Sequence, residues 1–253
     1  MKTLTQMTSS IEAIQRQKKR PEKDSPVMYQ HWEELLFLHW AVDREALQSK
    51  LPKGLHLDTY NGVAYVGVVP FFMQHIRPRF LPAVPWVSYF LELNVRTYVT
   101  DETGLPGVWF FSLDCNQPIA VRAARRFFYL PYMDAKMRAT KQGHEVAYFA
   151  QRKGEREAAH FAYAPDGAVK EAVAGSLTSF LVDRYWLFAH DVHSNRLFKG
   201  RVWHEPYQVG AAKCATWSSA PLDWNGMGVA GRPPDVVARA VNVAVRVYPV
   251  ERI

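Results

Sequence analysis

A chain of 253 residues, 48% of them hydrophobic, is long enough to bury a large core, as one sizeable β-domain or two small ones. A net charge of +7 favours anionic partners without choosing among phosphate, carboxylate, nucleic acid and membrane surface. No uninterrupted apolar run reaches the roughly 18–20 residues of a membrane helix, and no apolar leader is present. The expectation is a cytoplasmic protein with no membrane partner and with its two cysteines, Cys115 and Cys214, reduced.

The first 26 residues carry Lys2, Arg16, Lys18, Lys19, Arg20 and Lys23 against three acids and lack a large apolar face. They read as a basic, disordered tail ahead of a single domain of residues 27–253, with residues 11–20 having the makings of a short helix. QRQKKR offers a nucleic-acid or anionic-lipid contact, but solvated basic tails are common and nucleic acid is not favoured as a partner.

Residues 31–40, HWEELLFLHW, read as a strand, after which Asp43 caps the short helix DREALQSKLP. Asn61-Gly62 accepts the positive φ angles of a tight hairpin turn, placed between strands at 55–59 and 63–72. Gly67 in the return strand marks a bulge or a close approach. Pro78, Pro82 and Pro85 make residues 75–87 a loop.

The central stretch, residues 90–137, reads as strand, turn, strand, helix. Its first strand alternates: Leu91, Leu93, Val95, Thr97 and Val99 take one face, and Glu92, Asn94, Arg96 and Tyr98 the other. Residues 108–115 are apolar on both faces, as in a strand buried on both sides. If its neighbour is buried too, the Glu–Asn–Arg–Tyr row lines an internal cavity; otherwise it faces water. A helix follows, capped by Asn116 with Pro118 in its first turn, with Ile119, Ala123, Phe127 and Leu130 as its apolar stripe and a stop near Pro131.

Beyond it, residues 145–153 and 158–164 form a hairpin around Gly154, and Ser176 caps a third short helix. Strands follow at 185–190, 197–204 and 207–217, then a Gly- and Pro-containing loop at 221–234 and one or two closing strands at 236–250. The fold class is mainly β with a few short helices. Strands in hairpin order give a mostly antiparallel sheet, and a closed or cone-shaped barrel removes its edges and creates an interior.

The segments QHWEELLFLHWAVDREALQSKLPKGLHLDTYNGVAYVGVVPF, NVRTYV, WFFSLD, ARRFFYLPY and FLVDRYWLF together resemble the YqjF-like family, a bacterial domain of unknown function, from about Tyr29 onward. That family is grouped with the acetoacetate decarboxylase-like superfamily. The resemblance implies an antiparallel β-barrel or cone-shaped sheet around a polar cavity, and it implies a fold more firmly than a reaction. Acetoacetate decarboxylase uses a Schiff-base lysine in a Gly-Phe-Pro-Lys-Lys segment, its amine activated by a neighbouring cation. The corresponding segment here is Tyr129-Leu130-Pro131-Tyr132-Met133, so the essential amine is absent. Lys136, four residues on from Tyr132, reaches either the pocket or, as lysines usually do, solvent.

Among candidate residues, Arg96 either clamps a ligand carboxylate or forms a structural ion pair with Glu92 or Asp114. Asp114 is a candidate catalytic base or a helix cap. Tyr98 and Tyr132 are oxyanion donors or packing residues, Tyr132 being the second catalytic candidate. Glu92 and Asn94 complete the ligand-binding row, and Arg126 adds positive potential at the pocket mouth or lies on an exposed helix face. His190, His193 and His204 do not have the spacing of a metal site, and no cofactor motif is present, so neither metal nor cofactor is expected. The expected partner is a small-molecule anion or carbonyl compound, bound or converted without a Schiff base, and a homo-oligomer stays open. The alternatives are a non-catalytic binding or sensor module, or a protein or nucleic-acid interaction through the basic tail.

Overall fold

The computed structural model describes residues 4–229 and 231–253; residues 1–3 of the expected tail and Ala230 of the expected loop lie outside them. In chain order the elements are α1 (Leu4–Lys18), β1 (Met28–Glu33), β2 (Leu35–Val42), α2 (Arg44–Gln48), β3 (Leu55–Leu57), β4 (Ala64–Pro78), β5 (Phe90–Asp101) and β6 (Pro106–Cys115). Then come α3 (Pro118–Phe128), β7 (Tyr132–Gln142), β8 (Glu145–Arg152), β9 (Ala159–Glu171), α4 (Leu177–Val182) and β10 (Trp186–Asp191). The chain ends with β11 (Arg196–His204), β12 (Gln208–Thr216), α5 (Ala220–Asp223), β13 (Val236–Ala240) and β14 (Val243–Arg252).

The strands form one 14-stranded sheet in the order β1-β14-β11-β10-β6-β7-β8-β9-β12-β13-β2-β4-β5-β3, with β1 also paired to β4 and β5 to β6. The two extra pairings close the sheet on itself. One circuit runs β1-β14-β11-β10-β6-β5-β4 and back; the other runs β6-β7-β8-β9-β12-β13-β2-β4-β5 and back. Strands β4, β5 and β6 belong to both, so closure removes most of the open edge. All 12 residues of β5 are buried. One face sends Phe90 and Tyr98 into the larger apolar core, with Phe37, Phe71 and Leu113. The other sends Leu91, Leu93 and Val95 into a second core with Leu38, Trp40 and Tyr148.

Local chemistry accounts for several elements. Asp43 accepts a hydrogen bond from Ala46 N at 2.7 Å, and Ser176 from Ser179 N at 3.2 Å, capping α2 and α4. Asn61 and Gly62 take φ of 50° and 85°, the positive angles of the tight turn that bridges Tyr60 to Val63. Gly67 is a close approach: a Cβ there would stand 2.9 Å from the His39 ring.

Other expectations are corrected. β3 pairs with β5 rather than with β4, so the Asn-Gly turn joins strands that part at once. β7 was not read as a strand, because its solvent face is polar. It pairs in parallel with β6, as does β10, while every other pairing is antiparallel. α3 is the crossover from β6 to β7, capped by Gln117; Asn116 Oδ1 instead accepts from Leu91 N at 2.8 Å. Its packed face is Val121 with Ala120, Ala124 and Phe128. Phe127 of the expected stripe is 67% exposed.

A helix stands where a disordered tail was expected. In α1, Ile14 is buried, Lys18 Nζ lies 2.8 Å from Glu171 and 3.1 Å from the buried Asp183, and Trp203 Nε1 donates to Lys18 O at 3.0 Å. The polar anchors at Lys18 are ones that hydrophobic periodicity does not register. Among the described residues no helix is long and apolar enough to cross a membrane.

Candidate functional site

A cavity of about 410 Å³ lies against the β4–β5–β6 wall, within the roughly 300–1,000 Å³ typical of small-molecule sites. Apolar side chains make most of its lining, among them Phe71, Met73, Phe90, Phe110, Leu113 and Leu187. The polar lining residues are Glu92, Asn94 and Arg96 from β5, Tyr132 from β7, Arg184 after α4 and Tyr207 before β12, with the uncharged Gln30 on β1 and Ser88 in the rim loop. At the open end are Leu81, Val84 and Ile119, which are 57%, 50% and 49% exposed. The alternating face of β5 orders the depth. Phe90 follows the rim loop of residues 79–89, and six residues at ~3.3 Å each place Arg96 about 20 Å further along the wall.

The strand register builds the polar group. Asn94 pairs with Leu113 across β5–β6, and Leu113 pairs with Tyr132 across β6–β7, so Tyr132 comes level with the β5 row. Tyr132 Oη donates to Glu92 Oε2 at 2.6 Å. Arg125 Nε on α3 donates to the Tyr132 carbonyl at 2.6 Å, fixing where β7 starts. Burial lifts the Glu92 carboxyl to about 7; hydrogen bonds from Tyr132 and Asn94 oppose the rise, and the charge of Asp114 adds to it. A carboxyl near 7 exchanges its proton readily at neutral pH. The Tyr132 hydroxyl is pushed well above its ordinary value, by burial first and then by the Glu92 charge, and keeps its proton.

Arg96 is 8% exposed. Its Nη2 donates to Leu181 O at 3.1 Å, and its guanidinium carbon sits 5.4 Å from the Phe37 ring centroid. Among the described residues no carboxylate forms an ion pair with it, which corrects the expected pairing with Glu92 or Asp114. Glu92 is held by Tyr132, and Asp114 by Arg152. Arg96 Nε and Asn94 Oδ1 are buried without hydrogen-bond partners. The Arg96 charge reaches its neighbours. It helps to lower the already desolvated His39 and His204, the latter to about 4.

The remaining candidates lie elsewhere. Tyr98 shares the β5 face but does not line the cavity: its Oη donates to Leu181 O at 2.7 Å and lies 2.6 Å from His39 Nε2. With the hydroxyl proton committed to the carbonyl, His39 carries its proton on Nε2, and Nδ1 has no partner. Asp114 points to the other side of the wall, neither at the cavity nor into a helix cap. Arg152 grips it through Nε at 2.7 Å and Nη2 at 2.9 Å, and Ser112 and Trp224 O bind the same guanidinium. Asp114 is therefore a structural anchor. Arg126 is exposed on α3 and does not line the cavity. Lys136 is exposed on β7, and none of the described cavity-lining residues is a lysine.

The three histidines go separate ways. His190 contacts Asn195, His193 is exposed, and His204 is buried, stacked on Tyr185 with its Nδ1 at 2.7 Å from Glu205 O. Among the described residues no group of three or more His, Cys, Asp or Glu is placed to hold a metal ion. Sequence reasoning missed Arg184, which pairs with Asp58 at 2.9 Å, stacks 4.4 Å from the Phe180 ring centroid and has Nη2 without a partner. Its signal lies in FLVDRYWLF, where Arg184 stands between the helix capped by Ser176 and the strand at 185–190.

Comparison with known proteins follows the same lines. The family model DUF2071, described as an uncharacterized conserved protein, matches residues 29–244. The uncharacterized protein YqjF of Bacillus subtilis (strain 168) is 40% identical over 202 residues, covering 79% of this chain and 82% of that one. Among solved structures, an acetoacetate decarboxylase from Legionella pneumophila matches with a TM-score of 0.63 at 13% identity, covering 90% of this chain and 87% of its own. The enduracididine biosynthesis enzyme MppR, complexed with pyruvate, matches with a TM-score of 0.62 at 13% identity and 91% coverage of both chains. At that identity the likeness is one of fold.

Proposed function

The chain belongs to the DUF2071 family of uncharacterized conserved proteins and has the acetoacetate decarboxylase-like fold, and from that premise we propose that its cavity binds a small organic acid or carbonyl compound. Arg96 holds the anion, Asn94 Oδ1 accepts from a second polar group, and the Glu92–Tyr132 pair exchanges a proton with the bound molecule. The observation that carries this reading is a buried guanidinium on a cavity wall with no carboxylate partner among the described residues. A buried charge left unpaired is costly, and a ligand carboxylate completes it with charge-assisted hydrogen bonds. The lining supplies no amine, so the chemistry proposed is binding and proton transfer without a Schiff base. A cytoplasmic setting accords with this reading, since both cysteines are free.

Pyruvate, the molecule named for the MppR complex, is the first probe. Titration calorimetry should detect binding to the wild type and none to Arg96→Met. Borohydride added with pyruvate should leave the protein mass unchanged; a stable adduct on a lysine would overturn the Schiff-base-free part. In deuterated buffer, a bound oxo acid long enough to bring its carbonyl from Arg96 to the level of Glu92 should exchange the hydrogens beside that carbonyl, and Glu92→Gln removes the exchange. Binding with no exchange in the wild type would make the protein a binding module rather than an enzyme.

A further inference from the structure

We infer that the cavity takes an amphipathic monocarboxylic acid, its carboxylate on Arg96 and its apolar chain running along the wall toward the rim at Leu81, Val84 and Ile119. The inference rests on the organic-acid reading above and narrows it. Three observations carry it.

The polar atoms with unfilled valences, Arg96 Nε, Arg184 Nη2 and Asn94 Oδ1, belong to the inner region, where Arg96 and Arg184 flank the Tyr98 ring at 5.9 and 5.1 Å from its centroid. The rest of the lining is mostly hydrocarbon: Gln30 Oε1 already accepts from Trp32 Nε1 and Ser88 Oγ from Val84 N. Val69, Phe71, Met73, Phe110 and Leu113 continue to Phe90 and Val87, and among these levels only Glu92, already bonded to Tyr132, is charged. Finally, the apolar surface continues into solvent through half-exposed Leu81, Val84 and Ile119, where a site for a short polar acid would present polar atoms. About 20 Å of wall separates Arg96 from Phe90. An acid as short as pyruvate fills only the inner end and leaves the outer walls facing each other across unfilled space. A chain that lies against them removes apolar surface from water at every methylene.

The test is a binding series followed by the fluorescence of Trp32 and Trp186, both of which line the cavity. Hexanoate, decanoate and tetradecanoate are compared with pyruvate, and each acid with the alcohol of equal length. If the inference holds, affinity rises about fourfold per added methylene until the chain reaches the rim. Each alcohol then binds at least tenfold more weakly than its acid, and Arg96→Met brings acid and alcohol to the same affinity. Val84→Asp, a change at an exposed position, should weaken tetradecanoate and leave hexanoate alone. Flat affinity along the series, with pyruvate still binding through Arg96, overturns the amphipathic ligand and leaves the organic-acid reading standing. Equal binding of acids and alcohols, unchanged in Arg96→Met, overturns the organic-acid reading as well. Absence of binding by every probe overturns both.

Discussion

Replacing Arg96 by Met should leave the empty protein at least as stable while removing its ligand response. Arg96 is 8% exposed, donates to Leu181 O, and has no carboxylate in contact among the described residues. Met has a similar length, suits the Phe37 and Tyr98 rings that now face the guanidinium, and needs no counter-charge. Exchanging buried ionic groups for packed apolar ones is neutral or stabilising by about 1–4 kcal/mol. The lost hydrogen bond subtracts about 1 kcal/mol, a loss softened because Tyr98 still donates to Leu181 O. The expected outcome runs from neutral to a gain of about 3 kcal/mol, a rise of up to roughly 12 °C in thermal midpoint for a chain of this size. Urea unfolding with unchanged slope measures it. In ligand at a hundredfold its Kd the wild type gains about 2.7 kcal/mol and the variant nothing, so the wild-type midpoint rises and the variant's stays. Destabilisation of Arg96→Met by about 3–5 kcal/mol, the cost of stripping a buried carboxylate of its partner, would refute the unpaired guanidinium and the proposed site with it.

Glu92, lifted to about 7 in the fold, binds its proton more tightly folded than unfolded. Its contribution is therefore complete below about 4.5 and is lost as pH rises through 7. The stability difference between wild type and Glu92→Gln should fall by about 3 kcal/mol across that window; a difference independent of pH would contradict the raised pKa. Removing residues 1–19 deletes Lys18 and leaves buried Asp183 without its cation, so differential scanning should show a midpoint lower by about 10 °C. Gly67→Ala drives a Cβ to 2.9 Å from His39 and should cost about 1–3 kcal/mol in urea unfolding. Asp114→Asn should destabilise by about 3–5 kcal/mol by orphaning Arg152. Because Asp114 lies across the wall from the cavity, ligand affinity should stay unchanged; a loss of affinity would return it to the site.

How much of this was legible depended on the kind of signal. The alternation Glu92, Asn94, Arg96, Tyr98 against Leu91, Leu93, Val95 is a local property of β5, and it separated the two faces correctly. Gly67 announced a close approach, and the Asp43 and Ser176 caps were readable because each bond spans three residues. Partners were not readable, because they depend on register between strands far apart in the chain. Arg152 meets Asp114 across 38 residues, and Arg184 meets Asp58 across 126. Both strands of the Asn-Gly turn were found, but nothing local says that β3 turns to β5 instead of β4. Tyr132 was singled out by the motif that the YqjF-like resemblance supplied. Its place beside Glu92 depends on the parallel β6–β7 pairing, which hairpin order in a mostly antiparallel sheet does not supply.

The position of β5 has a consequence for how the molecule comes apart. Its backbone is hydrogen-bonded to β4 along one edge and to β6 along the other, and its side chains pack on both faces. Fraying, which begins at exposed edges and termini, has no route to such a strand. The amide hydrogens of Leu93, Asn94 and Val95 should exchange with solvent only when both circuits of the sheet open together, at the free energy of complete unfolding. The segment that carries the polar row is then among the last to yield, and Asn94 and Arg96 keep their positions through the local openings that loosen the rim loop and α3.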